Sequence, residues 1–377
     1  MANLLLGNLR MQWIESPEDA SHLIRWVGDA GAIAMDTEFM REKTFYPELA
    51  LVQLGRPGEV LLLDAPRLGR LQPMCELLSS PALKVMHSAS EDLQALHRAY
   101  ATLPAPLFDT QIAAGLAGLD PSLSYQKLVA ELCGVTLEKG ETRSDWLRRP
   151  LTEAQLSYAA DDVRYLLQPY EELSRRLDAL GRIEWLREDC ERALQQAVEA
   201  DDTQPHLSVR PAQGLPRAAQ ARLRRLLLWR DEQARASNRP RSWMLDTGLA
   251  LDIAQRAPMQ RSAFEQMLDR NPKAPRRRRD ELFDLANAEP SAEELDIPLA
   301  ELPEASERDL LRKLQQAVAA AAVDLKIADA MLASRRHLET LLRDGRWSKH
   351  LSGWRRGVLE ARLVPLLPAE QARRAQA

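Results

Sequence analysis

Cysteine is scarce in this chain, and no run of residues is both long and apolar enough to cross a membrane. The three cysteines among 377 residues, Cys75, Cys133 and Cys190, are far apart and lack the spacing of a zinc site, which excludes a cysteine-built metal knuckle and suits a reducing, cytoplasmic setting. The opening MANLLLGNLR is too short in its apolar part for a secretory signal, and Met11 is a second candidate start, with the residues before it an upstream extension. A basic surplus is missing too: Lys and Arg number 51 against 55 Asp and Glu, for a net charge of -4 and a pI near 6.0.

That average hides a division. Residues 211–280 hold 16 Lys/Arg against 7 Asp/Glu, a balance of +9, so the remaining chain carries -13. The length leaves room for two or three domains, each with its own core. The basic block is a candidate footprint for a phosphate polymer. Its densest run, Arg276 to Arg279, reads either as a solvated loop or as a contact. The acidic remainder holds the residues of chemical interest.

Three segments carry them. AIAMDTEF reads as a strand, followed by ELALVQLG and EVLLLDA with an RPG turn between the last two, so an antiparallel meander is expected. Residues two apart on a strand share a face, so Asp36 and Glu38 project together. Two acids on one face of a buried strand are costly unless their charge is offset; the alternative is a strand end where they meet water. LKVMHSAS reads as a fourth strand leading into a helix with Leu93, Leu96 and Tyr100 at helical spacing, capped by Ser88 or Ser90. Glu91 and Asp92 fall in its first turn, where an acid ordinarily complements the helix dipole. LTEAQLSYAADDVRYLLQPYEELSRRL reads as one long amphipathic helix opened by a capping box from Thr152 to Gln155. Tyr158 and Asp162 are four apart and share a face, with Asp161 off it; the alternative is a buried tyrosine bonded near a surface acid. If the fold gathers these four carboxylates, their repulsion is tolerable only with divalent cations among them.

The order Asp36-Thr37-Glu38, then Asp92 at a helix start, then Tyr158-x-x-x-Asp162 resembles the DEDD superfamily of 3′-to-5′ exonucleases, in its Tyr form because Ser157 stands where the His form places its histidine. Reading His87 and Asp92 as the third motif would leave only Asp64, at the end of the LLLD strand, as the second. His87 is therefore expected at a strand end or behind the site, and Asp109 in LFDT is expected to cap the following helix rather than bind metal. The blocks MDTEFMREKTFYPELALVQL, KVMHSASEDLQAL, FDTQIAAGL and KGETRSDWLRRPLTEAQLSYAADDV are similar to the bacterial ribonuclease D family over roughly the first 205 residues. Beyond them, Leu223, Leu226, Leu227 and Trp229 form an apolar stripe, and Asn238-Arg239-Pro240 with Trp243 resembles the HRDC module, a small helical nucleic-acid-binding domain. A degenerate second copy spans roughly residues 295–367, with Trp347 and Trp354 as aromatic anchors.

The resemblance implies an α/β, ribonuclease H-like exonuclease domain at residues 1–206, a mixed sheet flanked by helices, followed by two all-α HRDC domains at 207–290 and 291–377. It implies two divalent ions, Mg2+ or Mn2+, roughly 4 Å apart, a pair able to activate water and steady the attacked phosphate. In that scheme Asp36 bridges both ions, Glu38 and Asp162 hold the ion that activates water, Asp92 supports the other through water, and Tyr158 orients the nucleophile. Phe39 and Met40 would stack on or wedge against the terminal nucleotide, or simply pack. Gln53, Lys139, Arg143 and Trp146, with Arg239 and Arg241 in the basic block, are candidate contacts to the polymer. The implied activity is 3′ trimming of tRNA precursors and other small structured RNAs by a cytoplasmic monomer. A DNA exonuclease and an inactive RNA-binding scaffold are the rivals; a helicase is excluded, since no GxxxxGK[ST] loop is present.

Overall fold

Seven strands form one mixed sheet: β1 (Ala2–Leu6), β2 (Leu9–Ile14), β3 (Ala32–Met40), β4 (Glu48–Arg56), β5 (Glu59–Asp64), β6 (Leu83–Met86) and β7 (Leu107–Asp109), in the order β1-β2-β5-β4-β3-β6-β7. The structure is a computed structural model that describes residues 2–6, 9–138, 140–141, 143–198, 202–302 and 304–376. The expected meander is there, with β3, β4 and β5 antiparallel neighbours. Pro57 and Gly58 turn β4 into β5, Gly58 at a φ of 78° that a side chain would resist. The expected fourth strand, β6, lies parallel to β3 but accompanies it only through Ala34. The edge of β3 beyond that point is left uncovered at the residues that matter.

The strands read as near-continuous apolar runs because both sheet faces are covered. Leu51, Val52 and Leu54 on β4 and Val60 to Leu63 on β5 are all buried. One departure from the sequence reading lies on the covering layer. The segment expected as a single helix is two, Glu153–Arg164 and Leu167–Ala179. Pro169 lacks the N–H that a continuous helix would direct to residue 165, and its ring crowds that carbonyl. The break therefore falls at Tyr165 and Leu166.

The chain forms two compact units. One comprises Met1–Met40, Glu48–Glu199 and Glu304–Ala377; the other comprises Arg41–Pro47 and Ala200–Pro303. In the first, Leu311, Leu314 and Val318 of the Ala305–Leu325 helix, with Leu351 and Leu359, share one apolar core with the sheet. Polar ties accompany that packing. The guanidinium of Arg182 donates to the carbonyls of Leu116 and Leu325, each at 2.6 Å, and Asp189 accepts two bonds from Arg355 and one from the indole of Trp354. Trp354 in turn stacks on Trp185 with ring centres 4.4 Å apart. In the second unit the predicted stripe of Leu223, Leu226, Leu227 and Trp229 is buried against Leu249, Ile253, Phe264 and Leu282. Asn238 closes the Arg217–Ser237 helix in the left-handed conformation that asparagine tolerates.

Asp64, set aside above as a motif residue, is 1% exposed at the end of β5 and receives two bonds of 2.9 Å from Arg149, whose guanidinium also donates to backbone carbonyls and lies over the ring of Trp13. Arg149→Ala would leave that carboxylate buried without its partner, a loss of about 3–5 kcal/mol. Denaturant unfolding of the variant checks this; a change below about 1 kcal/mol would mean that water reaches Asp64.

Candidate active site

Asp36 and Glu38 stand on one face of β3, opposite Gln53 and Leu51 of β4. The register shifts between Glu38 and Phe39, where β4 carries an extra residue, Ala50. Such a bulge re-aims the strand directly after the two acids. The Glu153–Arg164 helix lies across the same face, opened by the capping box that Thr152 and Gln155 form as expected. It brings in Asp162, and one carboxylate oxygen from each of Asp36, Glu38 and Asp162 lies within 4.8 Å of the other two.

Asp92 stands at the uncovered edge of β3, outside the three-acid group but near enough for its charge to act on all three. It sits in the first turn of the Ser90–Tyr100 helix, 8% exposed, and accepts a 2.5 Å bond from the hydroxyl of Thr37. Neither Ser88 nor Ser90 caps that helix; Ala89 occupies the cap position. Asp109 serves instead, its carboxylate accepting from the backbone N–H of Ser88 and Ala89 as well as from Gln111 and Ile112 at the start of its own helix. The expected capping role of Asp109 is thus present and doubled. With all these N–H donors on its carboxylate, Asp109 fixes the loop that presents Asp92. His87 lies behind the site, bonded to Thr110 and to the carbonyl of Leu123.

The acids are held in an electrostatically unfavourable state. Burial first, then the neighbouring charges of Asp92, Asp162 and Glu38, raises Asp36 well above the carboxylate range. Glu38 is pushed up to about 9 by burial and by Asp162 and Asp92. Burial raises Asp92 to about 7 against the hydrogen bond from Thr37, and raises Asp162 to about 7 with help from Asp161 and against a hydrogen bond from Tyr158. Among the described residues, no lysine or arginine pairs with any of the four. A purely oxygen donor set with a deficit of positive charge fits a hard divalent cation.

Tyr158 is half-buried, donates to Asp162, and has the ring of Trp146 6.0 Å away. Tyr125 was missed by sequence reasoning. Its hydroxyl donates to the carbonyl of Asp161 at 2.8 Å, and after burial the charges of Asp162 and Asp36 raise its pKa, so it borders the cluster. Only hydrophobic spacing marks Tyr125 in the sequence, which gave no reason to single it out. Thr37 was equally silent, since the middle residue of the acidic triplet points away from Asp36 and Glu38.

The expected polymer contacts divide. Phe39 and Met40 are half-buried beside the acids, and Arg143 is exposed. Lys139 lies outside the described residues. Gln53 and Trp146 correct the expectation: Gln53 is fully buried with neither amide atom bonded, and Trp146 is 2% exposed, so neither presents a surface to a polymer. Gln53 faces inward because it stands opposite Asp36 beneath the helix; the alternation of a covered strand hides it. In the second unit Arg239 is exposed. Arg241 is committed locally, paired with Asp231 at 2.9 Å and lying over the ring of Phe45 at 4.6 Å.

Comparison with known proteins agrees with this geometry. A family model described as a 3′-5′ exonuclease matches residues 11–178. A ribonuclease D of Xanthomonas oryzae pv. oryzae is 48% identical over 96% of this chain and 99% of its own length. The chain belongs to the ribonuclease D family. A second member, from Pseudomonas paraeruginosa, is 37% identical over 92% of this chain and 94% of its own. The crystal structure of Escherichia coli RNase D superposes with a TM-score of 0.82 at 28% identity, covering 94% of this chain and 98% of that one. The catalytic core of RRP6 from Trypanosoma brucei shares the fold, with a TM-score of 0.59 over 75% of this chain at 23% identity. As a ribonuclease D family member with the 3′-5′ exonuclease domain, the chain is a 3′-to-5′ exoribonuclease, a hydrolase. Among the described residues, no helix is long and apolar enough to cross a membrane.

Proposed function

We propose that this chain trims structured RNAs, tRNA precursors with 3′ extensions among them, releasing 5′-nucleoside monophosphates one at a time as a cytoplasmic monomer. The observation that carries the reading is the approach of three carboxylate oxygens to within 4.8 Å, with Asp92 close enough to raise the pKa of all three acids. Two divalent cations, Mg2+ or Mn2+, would supply a lowered water pKa and charge neutralisation at the attacked phosphate. Asp36, Glu38, Asp92 and Asp162 are the residues that would hold them. The resemblance to the ribonuclease D family is what would give Asp36 a share in holding both, since each of the three clustered acids has an oxygen within 4.8 Å of the other two. Thr37 and Asp109 keep Asp92 in place.

Tyr158 orients the attacking water. Its hydroxyl is fixed by Asp162, and the nearby ring of Trp146 limits its swing. Tyr158→Phe keeps the ring and removes the hydroxyl, so kcat should fall by about 100-fold, the usual consequence of a misplaced reactant, with KM for RNA nearly unchanged. A tenfold rise in KM at constant kcat would instead make Tyr158 a substrate contact.

The segments at 207–290 and 291–377 are read as HRDC-type modules. The first is supported by the basic excess of residues 211–280, by exposed Arg239 and by Trp243, which is 50% exposed. Phe39, Met40 and Arg143 are the remaining candidate contacts near the acids. Matched RNA and DNA oligomers, each with a free or blocked 3′ end and with Mg2+ or EDTA, test the whole reading. Metal-dependent mononucleotide release from RNA with a free 3′ end, and little from DNA, is the expected result. Equal release from DNA would favour a DNA exonuclease; binding of RNA without release would favour an inactive scaffold.

A further inference from the structure

We infer that Gly55 is a positioning residue for the cation site: the missing side chain lets the helix that carries Asp162 approach β3 closely enough for its carboxylate to join those of Asp36 and Glu38. The inference rests on reading the acidic cluster as a cation site. Leu51, Gln53 and Gly55 of β4 stand opposite Glu38, Asp36 and Ala34 of β3. Directly opposed residues of an antiparallel pair share a face, so Gly55 lies on the face of the two acids, under the Glu153–Arg164 helix.

A Cβ at position 55 would lie 2.9 Å from the backbone oxygen of Val163, 3.0 Å from the Cβ of Val163 and 3.2 Å from the Cβ of Ala34. None of these atoms is the end of a flexible side chain, so a methyl there has to move backbone. Val163 follows Asp162 directly, and any retreat of the helix carries the Asp162 carboxylate with it. The strand of Asp36 and Glu38 is pressed less closely, through Ala34 at 3.2 Å, so the larger displacement falls on the helix. Conformation does not account for the glycine: the positive-φ glycines of the chain do not include Gly55. A glycine inside a strand weakens it and commonly marks close approach of another backbone, as here.

Mn2+ titrated calorimetrically into the metal-free, full-length protein tests the inference. Gly55→Ala should bind Mn2+ at least about tenfold more weakly, the usual effect of disturbing what orients a ligand. At low Mg2+ its kcat should fall by a similar factor and recover at high Mg2+, with KM for RNA unchanged. Gly31→Ala, whose added Cβ meets nothing within 4 Å, should behave as wild type. A merely structural defect would lower the melting temperature without moving Mn2+ affinity. Wild-type Mn2+ affinity in folded Gly55→Ala would overturn the inference. If Asp162→Asn binds Mn2+ as tightly as wild type, the reading of the cluster itself fails instead. Should Gly55→Ala not fold, Ala34→Gly/Gly55→Ala, which relieves the 3.2 Å contact and keeps the methyl against Val163, is titrated in its place and judged by the same outcomes.

Discussion

Asp36→Asn is expected to abolish turnover while making the metal-free protein more stable. The activity loss follows from the position of Asp36, next to both Glu38 and Asp162 and under the charge of Asp92. An amide there removes the charge that would hold cations against the phosphate, and a deficit of several kcal/mol in transition-state stabilisation is at least about a thousandfold in kcat. The stability gain follows from the same charges. Asp36 is raised by burial and by three neighbouring carboxylates, so folding without metal must either bury its charge or take up a proton, and the amide avoids both costs. A gain of about 1 kcal/mol is typical when a strained functional site is relieved, and it corresponds to roughly 2–4 °C in melting temperature for a domain of this class. Single-turnover assays with RNA in excess Mg2+, and melting curves in EDTA, measure the two effects. Retained activity would remove Asp36 from the reaction; a large drop in melting temperature would show that its carboxylate is structurally bonded rather than repelled. RNA binding should persist, since the basic excess lies in residues 211–280.

A second large effect is a reversal of pH dependence by metal. In the metal-free protein Asp92 and Asp162 sit at about 7 and Glu38 at about 9, with Asp36 also raised. Unfolded, each group titrates near its ordinary value of about 4. Between those values the folded state holds protons that the unfolded chain has lost. Stability of the metal-free protein therefore falls as pH rises from about 4 toward 7–9. Saturating Mg2+ displaces those protons and contributes about 2.7 kcal/mol at a hundred times its dissociation constant. With EDTA the melting temperature should be higher at pH 5.5 than at pH 8; with excess Mg2+ the difference should shrink or invert, and cation affinity should rise with pH. Equal slopes with and without Mg2+ would mean that these acids do not meet the metal.

The legibility of this protein varies from element to element. The meander of β3, β4 and β5 could be read because apolar runs and a Pro-Gly turn are local signals. The capping box at Thr152 and Gln155 is equally local, and so is the pairing of Tyr158 with Asp162 one helical turn apart. The single long helix was misread, since amphipathic periodicity continues across Pro169 while the backbone does not. Gln53 was misplaced for a different reason. A polar residue on a strand reads as solvent-facing or functional, and only the helix laid over β4 shows that it is enclosed. The supports of Asp92 were invisible because Thr37 bonds it, and Asp109 holds the loop before it, from strands separated from it in sequence. Trp354 was read as an aromatic anchor; its partners, Trp185 and Asp189, lie far upstream.

By itself the sequence determined the donor types and their order along the chain: four carboxylates and a phenol, two of the acids paired by strand alternation and the phenol with a third by helical spacing. Those are covalent and short-range facts. The tertiary structure alone decided that the strand pair and the helical pair share one site, because that depends on the helix passing so close to Gly55 that a side chain there would meet Val163, and on β6 stopping short beside β3. It also decided that the acids lie where burial and mutual repulsion raise their pKa values, since desolvation is a property of what surrounds a group and not of the group's neighbours in the chain.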